Sequence, residues 1–236
     1  MYQRDGQAVT AKVDHLVIAV STLDKGVAWC QSTLGITPGP GGEHPLMGTH
    51  NRLFSIASPD YRAAYFEIIA IDSGAARARH ISAKRWFDLD NEALQLQLKQ
   101  HGPQLIHFVA STPSARAGAN ALSDLGIDRG ELLEATRMTA NGLLSWQITV
   151  RNDGQRLMHG LLPTLIEWGD VHPSNNMAVS GVTLQSLTAS LPQTDQLHAA
   201  YAAIGLHSVA IAQGQPNLVA TLQTPRGPVT LASKGI

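Results

Sequence analysis

Cysteine, aromatic residues and charge are all scarce in this sequence of 236 residues. Cys30 is the only cysteine, which excludes an internal disulfide and fits a reducing, cytoplasmic setting. It falls on the apolar helical stripe Leu23, Val27, Cys30, Leu34, where a small core filler is expected rather than a reactive thiol. Lys and Arg number 17 against 18 Asp and Glu. With charge so balanced, neither nucleic acid nor an anionic membrane is an expected partner. No window approaches the roughly 18 apolar residues that a membrane helix needs. Met1 to Lys12 is polar, without an apolar signal core, and reads as a frayed tail. There is no Gly-x-Ser-x-Gly elbow and no His-Glu-x-x-His helix, so Ser/His/Asp catalysis has no support. The run Pro38-Gly39-Pro40-Gly41-Gly42 follows a helix instead of linking a strand to one, so no nucleotide cofactor is expected.

What the chain does have is an internal repeat. Val13-Asp14-His15-Leu16-Val17 reads as a strand carrying one histidine. Leu105-Ile106-His107-Phe108-Val109 is a second copy, and Val179-Ser180-Gly181-Val182 a third that has lost the histidine. Each is followed by a helix-length segment closed by a glycine: Gly35, Gly126 and Gly205. Alternating apolar residues then predict strands, among them Ala64–Ile71, Glu131–Thr139, Leu143–Val150 and Gly160–Trp168, with a hairpin turn at Asn141-Gly142. The expected fold class is α+β: repeated βαβββ modules in mixed curved sheets with helices packed outside. The expected units are a first module over 12–75, a connection over 76–102, a second module over 103–172, and a third, degenerate module over 178–236. The connection carries Arg85-Trp86-Phe87-Asp88 and either crosses the outside of a sheet or walls a pocket.

Overlaying the first two copies sets His15 against His107 and Glu67 against Glu167. A carboxylate inside an apolar strand is costly unless paired or metal-bound. Two imidazoles and two carboxylates suit Zn, Ni, Fe or Mn. The third copy has Gly181 and Thr230 at the matching places and cannot complete such a site.

The run Gly41-Gly42-Glu43-His44-Pro45 … Gly48-Thr49-His50-Asn51, with Tyr65-Phe66-Glu67, Arg85-Trp86-Phe87, Trp146, Leu165-Ile166-Glu167-Trp168 and Thr224-Pro225-Arg226-Gly227-Pro228, resembles the glyoxalase-like domain subgroup of the vicinal-oxygen-chelate superfamily. The resemblance spans nearly the whole chain from Val13. It implies two modules paired around a cleft. It also implies metal ligands on the first and last strands of each, at His15, Glu67, His107 and Glu167.

Three functions are therefore weighed. The first is a metal-dependent lyase or isomerase acting on a small oxygenated molecule, with Glu67 or Glu167 as base. The second is an Fe(II) dioxygenase using His15, His107 and one glutamate. The third is a metal-free protein that sequesters a small ligand between tryptophans. His44 and Asn51, in the shared loop run, are expected either to hold that loop or to touch substrate. Arg137, Trp146 and Trp168 are expected around the cleft, with the Arg137 guanidinium placed to hold a carboxylate. The third module is expected to pack beside the pair or against a second copy in a homodimer.

Overall fold

The structure, a computed structural model, describes residues 9–75, 83–139 and 142–236. The expected turn residue Asn141 and most of the basic stretch Ala75–His80 lie outside the described residues, as does most of the N-terminal tail. The tail's last part is not frayed: the Ala11 N–H donates to the Ile204 carbonyl at 2.8 Å.

The first module runs β1 (Lys12–Ala19), α1 (Leu23–Trp29), β2 (Glu43–His44), β3 (Thr49–Ser55) and β4 (Tyr65–Ile71). Thr22 caps α1 with its side chain, and a wide final turn ends at Gly35, whose φ of 77° suits only a residue without Cβ strain. The connection forms α2 (Glu92–His101). The second module runs β5 (Gln104–Ser111), α3 (Ala115–Ser123), β6 (Glu131–Thr139), β7 (Gly142–Val150) and β8 (Thr164–Trp168).

These strands make one eight-stranded sheet in the order β2-β3-β4-β1-β5-β8-β7-β6. Each half repeats one rule: the first strand pairs parallel with the last, β1 with β4 and β5 with β8. The halves join where β1 meets β5 antiparallel. That junction carries two bulges. Val13 faces Ala110 and His15 faces Val109, so Asp14 is an extra residue; Val17 faces His107 and Ile18 faces Leu105, so Ile106 is another.

The third unit runs β9 (Thr183–Leu191), α4 (Asp195–Ala203), β10 (Ala210–Gln213), β11 (Asn217–Thr224) and β12 (Gly227–Ala232). Its chain order matches the other modules, but its sheet order is β10-β9-β11-β12, so β9 pairs with its second strand and not its last. It packs beside the pair, on the convex face. Leu184, Leu187, Tyr201 and Leu218 share one core with Leu16, Phe66 and Phe108. Cys30 fills the same core, fully buried, and burial pushes its thiol up to about 12.

A second core lies on the concave face. There Val17, Ile69, Val109 and Ile166 meet Trp86, Phe87, Leu94 and Leu98 of the connection. The connection therefore enters the concavity instead of crossing the outside of the sheet. Phe87 and Asp88 both hold left-handed backbone, φ 60° and 59°, a strained pair for residues with side chains. The Asp88 carboxylate accepts from Arg156 Nε at 2.9 Å and pins that turn.

Candidate functional site

The concave face forms two connected chambers. The inner one, about 40 Å³, is lined by His15, Glu67, Asn51, Tyr65 and Trp168 among others. The outer cleft, about 1160 Å³, is lined by Met47, Leu133, Trp146, Val179 and further apolar side chains. His44, Trp86, Arg137 and Trp146 border both.

Asp14 anchors the inner floor, and only the bulge puts it on the same face as His15. Its Oδ1 accepts from His15 Nδ1 at 2.7 Å, and its Oδ2 accepts from Trp168 Nε1 at 3.0 Å and from His172 Nε2 at 2.9 Å. Burial alone would raise the Asp14 carboxyl. The hydrogen bonds and charges of His15 and His172 outweigh it and hold the group well below the usual carboxylate range. With Nδ1 committed to Asp14, His15 turns Nε2 toward Glu67 Oε2, 3.5 Å away. Its ring stacks on Tyr65 with centroids 4.5 Å apart.

Glu67 is held from the other side. Asn51 Nδ2 donates to Glu67 Oε1 at 2.7 Å and also faces His44 Nε2 at 3.2 Å. Asn51 Oδ1 accepts the Gly42 N–H at 2.8 Å. These partners assign His44 the tautomer with Nε2 accepting and Nδ1–H directed at Thr49 Oγ1, 3.0 Å away. Burial first, then the Arg137 charge, lowers His44 to about 3, so it is neutral. A Cβ on Gly41 would collide with Asn51, and one on Gly42 with the Arg137 guanidinium. The paired glycines thus let the loop close on both side chains.

The other two expected ligands do not join His15 and Glu67. His107 is fully buried, with Nδ1–H donating to the Gly160 carbonyl at 2.8 Å and Nε2 accepting the Thr164 N–H at 3.1 Å. Both ring nitrogens are spent, and burial with the Arg129 charge drives the ring well below its usual range. Glu167 lies on the opposite face of the sheet, where its Oε2 accepts the Ala115 N–H at 2.9 Å at the start of α3. It caps that helix together with Ser114.

The strand pairing explains the discrepancy. Val17 faces Glu67, and Val109, its counterpart in the repeat, faces Thr164. The residue matching Glu67 is therefore Thr164, three positions before Glu167. By the same register Asn51, which faces Ile69, matches Ile148, which faces Ile166. Ile106 is the bulge residue that matches Asp14. The second half-site has kept its histidine but lost both carboxylates and the amide of the first, with Ile106, Thr164 and Ile148 in the places of Asp14, Glu67 and Asn51.

The donors do not fit a four-ligand ion, or the facial triad of a dioxygenase. Among the described residues no three His, Cys, Asp or Glu side chains converge to hold a metal. His15 and Glu67 alone would supply two ligands, fewer than the three a catalytic zinc site keeps.

The expected binding residues are all near. His44, Asn51, Arg137, Trp146 and Trp168 line the inner chamber. Sequence reasoning does not find Asp14 in the floor, and it puts His172 only at the rim, whereas its Nε2 reaches Asp14. The signal for Asp14 was a carboxylate beside the histidine within an apolar strand; nothing in the sequence marks the bulge.

The chain matches the family described as "Glyoxalase-like domain" over residues 13–205. No curated protein matches it. Among solved structures, a hypothetical protein from Staphylococcus aureus is similar at 14% identity and a TM-score of 0.55, covering 94% of this chain and 85% of that one. Methylmalonyl-CoA epimerase from Streptomyces coelicolor aligns at 20% identity and a TM-score of 0.43, covering 70% of this chain and 98% of that one. The enzyme of that name from Mycobacterium tuberculosis aligns at 16% and 0.40, covering 70% and 92%. With a family match over most of its length and two βαβββ modules paired about a cleft, the chain belongs to the glyoxalase-like domain family of the vicinal-oxygen-chelate superfamily.

Proposed function

We propose that this protein is a lyase or isomerase that moves a proton on an oxygenated, carbonyl-bearing substrate, with Glu67 and His15 as its catalytic pair. The observation that carries the reading is the Glu67 carboxylate facing His15 Nε2 across 3.5 Å at the inner end of the cleft. Glu67 is the base. Its Oε1 is fixed by Asn51, which leaves Oε2 to take a proton from the carbon beside the carbonyl. The electron pair moves onto the carbonyl oxygen. His15, held at Nδ1 by Asp14, presents Nε2 to that oxygen. Return of the proton from Glu67 to the former carbonyl carbon, as the hydroxyl proton of the first carbon passes to the former carbonyl oxygen, completes an isomerisation; return of the electron pair with loss of a group from the adjacent carbon completes a lyase reaction. Asp14, Asn51 and His44 are positioning residues. Trp146 and Trp168, with centroids 5.7 Å apart, wall the chamber against water.

Proton exchange into D₂O, followed by NMR over a panel of 2-oxo acids and 2-hydroxy ketones, tests this. Exchange should occur, fall about 10²- to 10⁴-fold in Glu67→Gln, and be indifferent to EDTA. Exchange abolished by EDTA and restored by a divalent ion would return the reaction to metal chemistry. Unaltered exchange in Glu67→Gln would remove the base.

A further inference from the structure

The outer cleft is far larger than a small oxygenated molecule requires. About 40 Å³ at the polar floor accommodates about three water-sized groups. The 1160 Å³ beyond it exceeds the ~300–1,000 Å³ of ordinary ligand pockets. Its walls are Met47, Leu53, Leu133, Leu144, Trp146 and Val179. Val179 and Met138 are exposed at 97% and 74%, so the apolar surface continues out to the rim.

Charge interrupts this surface at Glu43 and Glu134, which also line the outer cleft, and at Arg137, where the chambers meet. Arg137 is the only Lys or Arg among the described residues lining either chamber. Its Nη1 is buried with no hydrogen-bond partner. Gly42 lacks the Cβ that would push the guanidinium away. Arg137 as a whole is half-buried, and its buried N–H is left costly unless an acceptor from a ligand completes it. His44 beside it is neutral, so Arg137 alone supplies positive charge where the two chambers meet. That matches a carboxylate better than a dianionic phosphate.

We infer that the substrate is an amphipathic carboxylate: a monoanionic acid held by Arg137, with its reacting carbonyl in the inner chamber and a long or bulky apolar body in the outer cleft. This rests on the reading of the cleft as the active site and adds the substrate class to it. The fork of the guanidinium suits a carboxylate, whose two oxygens accept in parallel. The apolar body gives up its water to the cleft walls.

Calorimetric titration of the full chain with butanoate, octanoate, octyl phosphate and octanol tests the inference. Octanoate should bind more tightly than butanoate by up to about fourfold per added methylene. It should bind about ten- to a hundredfold more tightly than octanol and more tightly than octyl phosphate. Arg137→Gln should bring octanoate down to the level of octanol, and Arg137→Lys should recover only part of the loss. Gly42→Ala should weaken octanoate with Arg137 still present. Equal affinity for octanoate and octanol, no gain with chain length, no binding of octanoate, or preference for octyl phosphate would each overturn it. Glu67→Gln separates the two claims, since it should slow proton exchange about 10²- to 10⁴-fold without weakening octanoate. If octanoate binds as described and no panel compound exchanges, the catalytic reading fails and the carboxylate site stands. If short uncharged ketones exchange while octanoate neither binds nor inhibits, the reverse holds.

Discussion

Asp14 is the residue that organises the polar floor, because three donors from three parts of the chain end on its two oxygens. Asn in its place would turn an NH₂ group toward one of those donors and leave a buried group unsatisfied. Asp14→Asn should cost about 3 kcal/mol at pH 7, read from urea unfolding. The pH dependence follows from the direction of the shift. Asp14 is held below its unfolded value of about 3.9, so its contribution is complete above about pH 4 and drains as pH falls, where the unfolded chain binds the proton first. The stability difference between wild type and Asp14→Asn should therefore narrow from about pH 4 downward. A difference constant down to about pH 3 would show that Asp14 is not held ionised in this way. The sequence showed the charge in the strand, but its role depends on a bulge set by the pairing of β1 with β5.

Strand phase decides which carboxylate does what. In β4, Tyr65, Glu67 and Ile69 face the cleft while Phe66 and Ile68 enter the convex core. In β8, Thr164, Ile166 and Trp168 take the cleft side and Leu165 and Glu167 the helix side. An offset of an odd number of residues in the overlay carries a side chain through the sheet, which is how Glu167 was matched to Glu67. Capping of α3 is the chemistry left to it. Glu167→Ala should lower stability by about 1 kcal/mol in chemical denaturation and leave proton exchange and octanoate affinity alone. Exchange lost as completely as in Glu67→Gln would restore Glu167 to the catalytic pair. The edges of β6 and β7 were close to those expected, because their alternation is regular. In β9 the expected start, Val179, lies four residues before the observed one, since Ser180-Gly181 continues the linker.

For the whole molecule, the third unit is a cover and not a third half-site. Tyr201 donates its hydroxyl to the Leu161 carbonyl at 2.7 Å, and Tyr61 reaches the Ser208 carbonyl at 2.8 Å. Around these bonds α4 lies against α3, and β11 and β12 lie against β5. A chain ended after Met177 would strip Tyr201 from Phe108 and remove Leu184, Leu187 and Leu218 from the shared core, leaving an apolar patch of the kind that drives aggregation. It should lose cooperative thermal unfolding and precipitate during purification. A soluble truncated chain with the melting behaviour of the whole protein would show that the cover is dispensable.

Local pattern by itself determined the repeated strand–helix–strands order and the family. Periodicity, glycine stops and the Gly-Gly-Glu-His-Pro run are written in neighbouring positions. Tertiary structure decided which side of a sheet each polar group meets. That depends on register and on single-residue bulges between strands some ninety positions apart along the chain. A one-residue slip there costs little in pattern yet exchanges a base in a cleft for a cap on a helix.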